Sequence, residues 1–290
     1  MVDIRFLQSL VATVETGSIA AAARREKLTP AAVSQRIQSL ERALGCILLA
    51  RGAHSAQPTE ACLSLLPRAR LLIREVENLR YDVAGGGLAA ELKIGAISTA
   101  LTGIFPEVLD ELSRRAPSLK LILRPGSSLQ LYEQLLAGEL DAAVLVEPPF
   151  LLPKGLAAYV IRREPLVFIS RDATEPDDIA EQIRQAPFIR YDPGSWGGRL
   201  SSQYLADAGL DPDIRCDMDA LETIAMLVAN GMGNSVVPAW QGLGRDGFCL
   251  VEVPDAASYE RRIVFLHQRV PSRPTPLALL KEILSQGFTG

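Results

Sequence analysis

Ser18-Ile19-Ala20-Ala21-Ala22-Ala23-Arg24-Arg25-Glu26-Lys27-Leu28-Thr29-Pro30-Ala31-Ala32-Val33-Ser34-Gln35-Arg36-Ile37 decides how the first part of the chain folds. Ser18 follows Gly17 and is placed to cap a helix, so Ile19 to Ala23 reads as the start of a short helix with a small-residue face. Thr29-Pro30 opens another, an N-cap residue followed by proline at the first helical position. That helix runs to about Leu44, where Gly45 stops it, and its apolar stripe is Val33, Ile37, Leu40 and Leu44. Two helices joined by a tight turn, the first lined with alanine so that the pair can cross closely, make a helix-turn-helix. A larger side chain at Ala22 or Ala23 would push them apart. Glycine is common in such turns; here Glu26 or Lys27 takes its place.

The face opposite the apolar stripe reads Thr29, Pro30, Ala31, Ser34, Gln35 and Gln38. It is small, polar and mostly uncharged, whereas a helix that merely faced water would carry more Glu and Lys. Gln pairs with adenine N6 and N7 in the DNA major groove, and Ser or Thr serves bases or phosphates. Upstream, Phe6, Leu7, Leu10, Val11 and Val14 recur at helical spacing and predict a helix over Ile4–Glu15. Downstream, Cys62, Leu65, Ala69, Leu72, Val76, Leu79 and Val83 alternate steps of 3 and 4, the seam of a coiled coil. Arg68, Arg70, Arg74, Glu75, Glu77 and Arg80 fall between them and would face water or phosphate, while Pro67 interrupts the helix. Pairing along this seam predicts a homodimer, with two recognition helices about one DNA turn (roughly 34 Å) apart. A single helix docked on its own domain is the alternative.

The runs from Ser18 to Ala23, from Leu28 to Ile37 and Leu40-Glu41-x-x-Leu44-Gly45 resemble the DNA-binding region of LysR-type transcriptional regulators. Leu48-Leu49-Ala50-Arg51 followed by Pro58-Thr59-Glu60-Ala61 is similar to that family's wing and the start of its linker helix. Gln35 stands where many members carry arginine, and Cys62 where glycine is usual. The resemblance implies a winged helix-turn-helix over residues 1–60, a linker and dimerisation helix with hinge over 61–88, and an effector-binding domain over 89–290. It implies DNA contacts from Ser18, Thr29, Pro30, Ala31, Ser34, Gln35, Arg36 and Gln38, with Arg51 reaching a phosphate from the wing. It also implies double-stranded DNA and a small-molecule effector as partners, and a homodimer or a tetramer built from it. The Thr-Pro-x-Ala-Val-Ser-Gln-Arg-Ile pattern is similar to members that control basic amino-acid export.

Gly85-Gly86-Gly87 marks a boundary, beyond which apolar strands alternate with helices. Strands are expected at 92–97, 119–124, 142–146, 166–169, 188–191, 235–237 and 263–266. Helices are expected at 101–114, 129–136, 179–184, 199–208, 221–229 and 277–284. This is an α/β pattern with a largely parallel sheet. Its repetition on both sides of about Ile161 predicts two subdomains, I over about 89–161 and 268–290, II over about 162–267. The family resemblance implies the same type 2 periplasmic-binding-protein-like architecture.

In open α/β sheets ligands bind beyond the carboxyl ends of strands. Ser98, Thr99 and Thr102 follow the first expected strand, Ser127 and Ser128 the second, and Ser195, Trp196 and Arg199 the strand ending at Tyr191. Hydroxyls and backbone donors there suit an anionic or amino-acid-like ligand, with Arg199 a counter-charge. The resemblance adds that positions matching Thr99, Ser127 and Val146 line the effector cleft; Val146 is apolar here.

Charge is distributed in keeping with this division. The net charge of −4 splits into +4 over residues 1–80 and −8 over the rest, a basic head on an acidic body. The four cysteines (Cys46, Cys62, Cys216, Cys249) form no C-x-x-C pair and lie near no histidine, so neither a disulfide framework nor a metal site is expected, and no cofactor. His54 and His267, the only histidines, belong to no triad pattern, and no catalytic residue is assigned. Without a signal segment or an apolar run of membrane length, the chain is expected in the cytoplasm, with no membrane partner. An architectural DNA-binder without ligand and a cytoplasmic small-molecule-binding protein are the other classes; the latter leaves the first ninety residues unexplained. The regulatory mechanism expected is a population shift, with ligand closing the cleft and altering DNA binding.

Overall fold

The computed structural model describes residues 2–51, 56–83, 88, 91–172, 175–244 and 246–286. The expected Gly85-Gly86-Gly87 boundary, His54 and the side chains of Arg51, Arg74, Glu77, Arg80 and Val83 lie outside the described residues. The chain divides into two compact units, one of residues 1–89 with 136–139 and the other of residues 90–135 and 140–290.

The first unit is built from α1 (Ile4–Thr16), α2 (Ile19–Glu26), α3 (Pro30–Leu44), the two-stranded wing β1 (Leu49–Arg51) and β2 (Ala56–Pro58), and α4 (Glu60–Val83). Each early helix starts on a side-chain cap: Asp3 accepts from the Arg5 N–H, Ser18 from Ala21 and Thr29 from Ala32. Gly17 and Gly45 end α1 and α3 in the left-handed conformation, φ 71° in each case. Ala22 and Ala23 are buried against Leu7, Leu10, Val33, Ile37 and Leu40, the close crossing that only small residues allow. A buried polar contact braces the same helices: Ser9 Oγ donates to Glu26 Oε2 (2.6 Å), and Arg36 Nη1 donates to Ser9 Oγ (3.3 Å). Glu41 reaches from α3 to accept the N–H groups of Leu48 and Leu49, which fixes the entry to the wing. Thr59 donates to Ile47 O at 2.8 Å and accepts from Cys62 N–H, so one hydroxyl joins the wing to the start of α4.

The seam on α4 separates into two stripes. Cys62 and Ala69, with Leu66 and Ile73, pack into the core of their own unit, so that part of the expected pairing seam is corrected to a docking face. Burial pushes the Cys62 thiol up to about 11, and it stays neutral at ordinary pH. Leu72, Val76 and Leu79 point elsewhere and are 41%, 43% and 62% exposed. Pro67 lies within α4, which continues past it.

Among its described residues the second unit holds three sheets. Its first subdomain has strand order β4 (Lys120–Pro125), β3 (Glu91–Ala96), β5 (Ala142–Val146), β12 (Arg261–Gln268), β6 (Leu156–Glu164). Around it lie α5 (Ser98–Gly103), α6 (Phe105–Arg115), α7 (Ser128–Leu136) and α11 (Pro274–Ser285). Strand β3 is parallel to β4 and β5, and β12 is antiparallel to β5 and β6. The second subdomain has β7 (Leu166–Ser170) between β10 (Ser235–Pro238) and β11 (Cys249–Glu252), antiparallel to both, and β8 (Phe188–Tyr191) parallel to β9 (Ile214–Met218). Helices α8 (Ile179–Gln185), α9 (Gly198–Asp207) and α10 (Leu221–Ala229) complete it. Leu166 and Phe168 pack into a core on one face of β7, Val167 and Ile169 into another on the opposite face.

Three expectations are corrected. The first sheet is mixed rather than largely parallel, because the strand that leaves the first subdomain and the strand that returns to it pass the same hinge in opposite directions, and the sheet around β7 is antiparallel. That return comes at Arg261, since β12 belongs to the first sheet; the second subdomain therefore closes near residue 260 instead of 267. The single helix expected over 101–114 is two, because Pro106 lacks the N–H that would continue a turn and instead occupies the start of α6.

Lys27 closes α2 at φ 56°, a left-handed backbone strained for a side chain. Its replacement Lys27→Gly removes that strain but adds chain entropy to the unfolded state. We expect a net stabilisation of about 0.5 kcal/mol, read from the urea midpoint of the full chain.

Candidate functional site

Two candidate sites emerge, one in each unit. On α3, Thr29, Pro30, Ala31, Gln35 and Gln38 are exposed and Ser34 is half-buried, with Gln38 Nε2 donating to Ser34 Oγ at 3.3 Å. These residues share one outward face in helical register, free of lysine and carboxylate. Two residues expected beside them have other duties. Arg36 turns inward to Ser9 and to Glu26 (3.6 Å) and braces α3 against α1 and α2, so its assignment as a DNA contact is corrected. Ser18 is half-buried and its Oγ accepts the Ala21 N–H at 3.1 Å, so it is a cap of α2. Arg51 lies on β1, where its backbone pairs with Ala56.

The second site is a cleft of about 460 Å³ between the two subdomains of the second unit. Ser98, Thr99, Ser127, Ser128, Val146, Tyr191, Ser195 and Trp196, all expected from the sequence, line it together. Several of their hydroxyls already have local partners. Ser128 Oγ accepts from Val146 N–H (3.2 Å), and Ser127 Oγ accepts from Gln130 N–H at the start of α7. Ser195 Oγ donates to Asp192 O (2.9 Å) and accepts from Gly198 N–H (3.0 Å). Two expectations are corrected: Thr102 and Arg199 are exposed and are not among the lining residues. Thr102 Oγ1 lies back along its helix against Ser98 O and meets Glu222 Oε1 (3.3 Å), while Arg199 sits on the outer side of α9, one residue beyond its start.

The floor of the cleft holds a residue that sequence reasoning missed. Arg261 is 2% exposed and lines the cavity. Its Nε and Nη2 both donate to Glu164 Oε2 (2.7 and 2.6 Å). Nη2 also reaches Thr99 Oγ1 (3.2 Å) on the first subdomain, and Nη1 reaches the Tyr191 hydroxyl (3.4 Å) on the second. Burial opposes the guanidinium's charge, but Glu164 and Tyr191 outweigh it and hold Arg261 above its ordinary value. Burial lifts the Glu164 carboxyl, with Arg261 pulling the other way. Burial likewise lifts the Tyr191 phenol, which stays protonated. Glu164 and Arg261 are directly paired across β6 and β12, at the two points where the chain crosses between subdomains. The signal was a charged pair of strand ends, Arg162-Arg163-Glu164 and Glu260-Arg261-Arg262; an expected strand beginning at Ile263 left Arg261 out. Asp192, which the sequence does not single out, and Asp219, which reads as a capping or solvated residue at a helix start, bring carboxylates to the lining.

The subdomains also touch across the cleft. Ser98 Oγ donates to Glu222 Oε2 at 3.1 Å. The Trp196 ring meets Tyr132 and Phe150 edge-on, at centroid distances of 5.9 and 5.6 Å. The loop carrying Trp196 folds tightly: a Cβ on Gly197 would lie 2.3 Å from the Tyr191 hydroxyl, and one on Gly198 2.0 Å from Asp192 O.

Comparison with known proteins bears on both sites. Residues 4–63 match the family described as bacterial regulatory helix-turn-helix protein, lysR family, and residues 85–289 match the LysR substrate binding domain. The HTH-type transcriptional regulator TtuA of Agrobacterium vitis is 28% identical over 300 residues, 96% of each chain. Full-length OxyR from Pseudomonas aeruginosa superposes with a TM-score of 0.76 at 20% identity, covering 98% of this chain and 95% of that one. Full-length CbnR in complex with its target DNA superposes at 0.65 and 21% identity, covering 98% and 99%. The structural likenesses concern the fold.

The tight loop yields a test. Gly198→Ala forces a methyl into the Asp192 carbonyl and is expected to destabilise the chain by about 1–3 kcal/mol. Gly194→Ala, whose methyl would meet only the Asp192 side chain at 3.2 Å, is the control and should stay near wild type in urea unfolding.

Proposed function

Given that the chain belongs to the LysR family of transcriptional regulators, we propose that α3 reads operator sequence, α4 pairs two copies, and the cleft takes an amino-acid-like effector. The outward polar face of α3 carries the first part of this reading. Thr29, Pro30, Ala31, Ser34, Gln35 and Gln38 offer hydroxyls and amides, which discriminate bases, rather than charges, which bind any phosphate. Arg51 adds a phosphate contact from the wing. The dimer is supported by Leu72, Val76 and Leu79, an apolar stripe on α4 that its own unit leaves exposed. A tetramer assembled from two such dimers is the larger form.

The effector class follows from the charges in the cleft. Arg261 is answered by Glu164, so the floor offers a bonded cation and hydroxyls, while Asp192 and Asp219 add two carboxylates to the lining. A ligand with both a carboxylate and a positive group fits this arrangement; a purely anionic one meets the two aspartates unfavourably. The domain division that goes with this reading is a DNA-binding part with its linker helix up to residue 88, then the effector domain. The regulatory step is a shift between cleft conformations that favours the one binding effector more tightly.

Two measurements test the DNA and dimer parts. At ~150 mM salt the protein should bind its own upstream DNA more tightly than scrambled DNA of equal length. Gln35→Ala should reduce that preference by roughly 10- to 100-fold, the weight of one good base contact; an unchanged ratio would remove Gln35 from the reading surface. Leu79→Glu places a charge in the exposed stripe and should shift the sedimentation profile toward monomer, whereas an unchanged profile would move the dimer contact off α4.

A further inference from the structure

We propose that Arg261 is a positioning residue that makes the cleft selective for the effector's carboxylate, acting through the Thr99 and Tyr191 hydroxyls. The proposal rests on the reading of the effector as amino-acid-like. A hydroxyl has one proton and two lone pairs, and a guanidinium can only donate. Arg261 Nη2 donates to Thr99 Oγ1 at 3.2 Å and Nη1 to Tyr191 Oη at 3.4 Å. Neither hydroxyl can therefore return its own proton to Arg261. Both residues are almost fully buried and both line the cavity. With Arg261 donating to each, both hydroxyls keep their protons for another acceptor, and a carboxylate in the cavity that both residues line would supply one.

Glu164 gives this arrangement its particular character. By cancelling the charge of Arg261, it leaves the guanidinium to orient hydroxyls without creating a strong positive field in the cavity. Recognition of the carboxylate then depends on directed hydrogen bonds, which distinguish it from a neutral group in the same place. A ligand lacking the carboxylate leaves buried donors unmet, which lowers affinity by roughly 10- to 100-fold. A lysine at 261 would keep the charge but lacks the planar fork that reaches Glu164, Thr99 and Tyr191 together.

The experiment uses the purified full chain and measures binding, by thermal shift and titration calorimetry, of the standard L-amino acids and of the amine each leaves on losing its carboxylate. The expected result is that at least one L-amino acid binds and its amine binds roughly 10- to 100-fold more weakly. In Arg261→Lys that ratio should fall toward one. Thr99→Val, which leaves the Arg261–Glu164 pair untouched and keeps the side-chain shape, should lower the ratio in the same direction. A general loss of folding would weaken acid and amine alike and leave the ratio intact. If no L-amino acid binds the wild-type chain, the amino-acid reading fails and takes this role with it. If amino acids bind but both variants keep the wild-type ratio, the positioning role alone is overturned.

Discussion

Arg261 and Glu164 meet where the chain leaves the first subdomain and where it comes back. Two subdomains joined by two adjacent crossing strands need those strands held in register, or the cleft has no defined floor. The backbone ladder between β6 and β12 does most of that, yet the side-chain pair at its end carries a second constraint. A guanidinium taken out of water requires a partner, and removing one member of such a pair typically costs about 3–5 kcal/mol. Replacing both by well-packed apolar residues would often be neutral or stabilising. Stability alone is therefore a poor reason for this pair to sit here. Its bonds to Thr99 on one side and Tyr191 on the other are a better one, since an aliphatic pair would leave both hydroxyls without orientation.

The same reasoning separates structure from recognition in the DNA-binding unit. Arg36 stands in α3, the proposed reading helix, and its charge would suit a phosphate. Its guanidinium instead meets Ser9 and Glu26, buried or half-buried groups on α1 and α2. Together with the close packing at Ala22 and Ala23, this contact sets the angle at which α3 projects. The outward face is then left to residues with short or neutral side chains, and discrimination falls to their hydrogen-bonding geometry. On α4 the apolar stripe that docks inward is a neighbour of the one that stays exposed. A single heptad pattern thus spreads over two stripes, one docked and one exposed, that differ by about one residue's rotation around the helix.

Local signals in the sequence were legible wherever one residue type has one mechanical use. Ser18, Thr29, Gly17 and Gly45 marked helix ends by capping and by the left-handed turn, and α1, α2 and α3 begin or end within a residue or two of where those rules put them. Apolar strands buried on both faces, such as β5 and β7, were equally clear. Strands at the exposed side of a sheet were not: β6 runs Ala157-Ala158-Tyr159 into Arg162-Arg163, and its alternation is blurred by partly covered polar positions. The hydroxyl residues of the cleft lining, Ser98, Thr99, Ser127, Ser128 and Ser195, were visible as Ser and Thr after strands. Arg261 and Glu164 were not, because a buried charge is recognisable only from the partner that a distant part of the chain supplies. For the α4 seam, spacing alone could not separate a stripe covered by its own unit from one left open.

Contacts that already span the cleft set the terms on which any ligand acts. Glu222 accepts from Ser98 and Thr102, and Trp196 stacks edge-on against Tyr132 and Phe150, so the subdomains are joined by the chain's own side chains. Each aromatic pair of this kind contributes about 0.5–1.5 kcal/mol, and an exposed hydrogen bond less than that. Such contacts lower the free energy of the closed arrangement and raise its population in the absence of ligand. A ligand shifts the balance only by the difference in its affinity for the two arrangements. Thr99 belongs to one subdomain and Tyr191 to the other, so in the proposed opening of the cleft the distance between their hydroxyls would change. A carboxylate that needs both is therefore a ligand whose affinity differs between open and closed forms, and Arg261, bonded to each, is the point at which that difference meets the hinge.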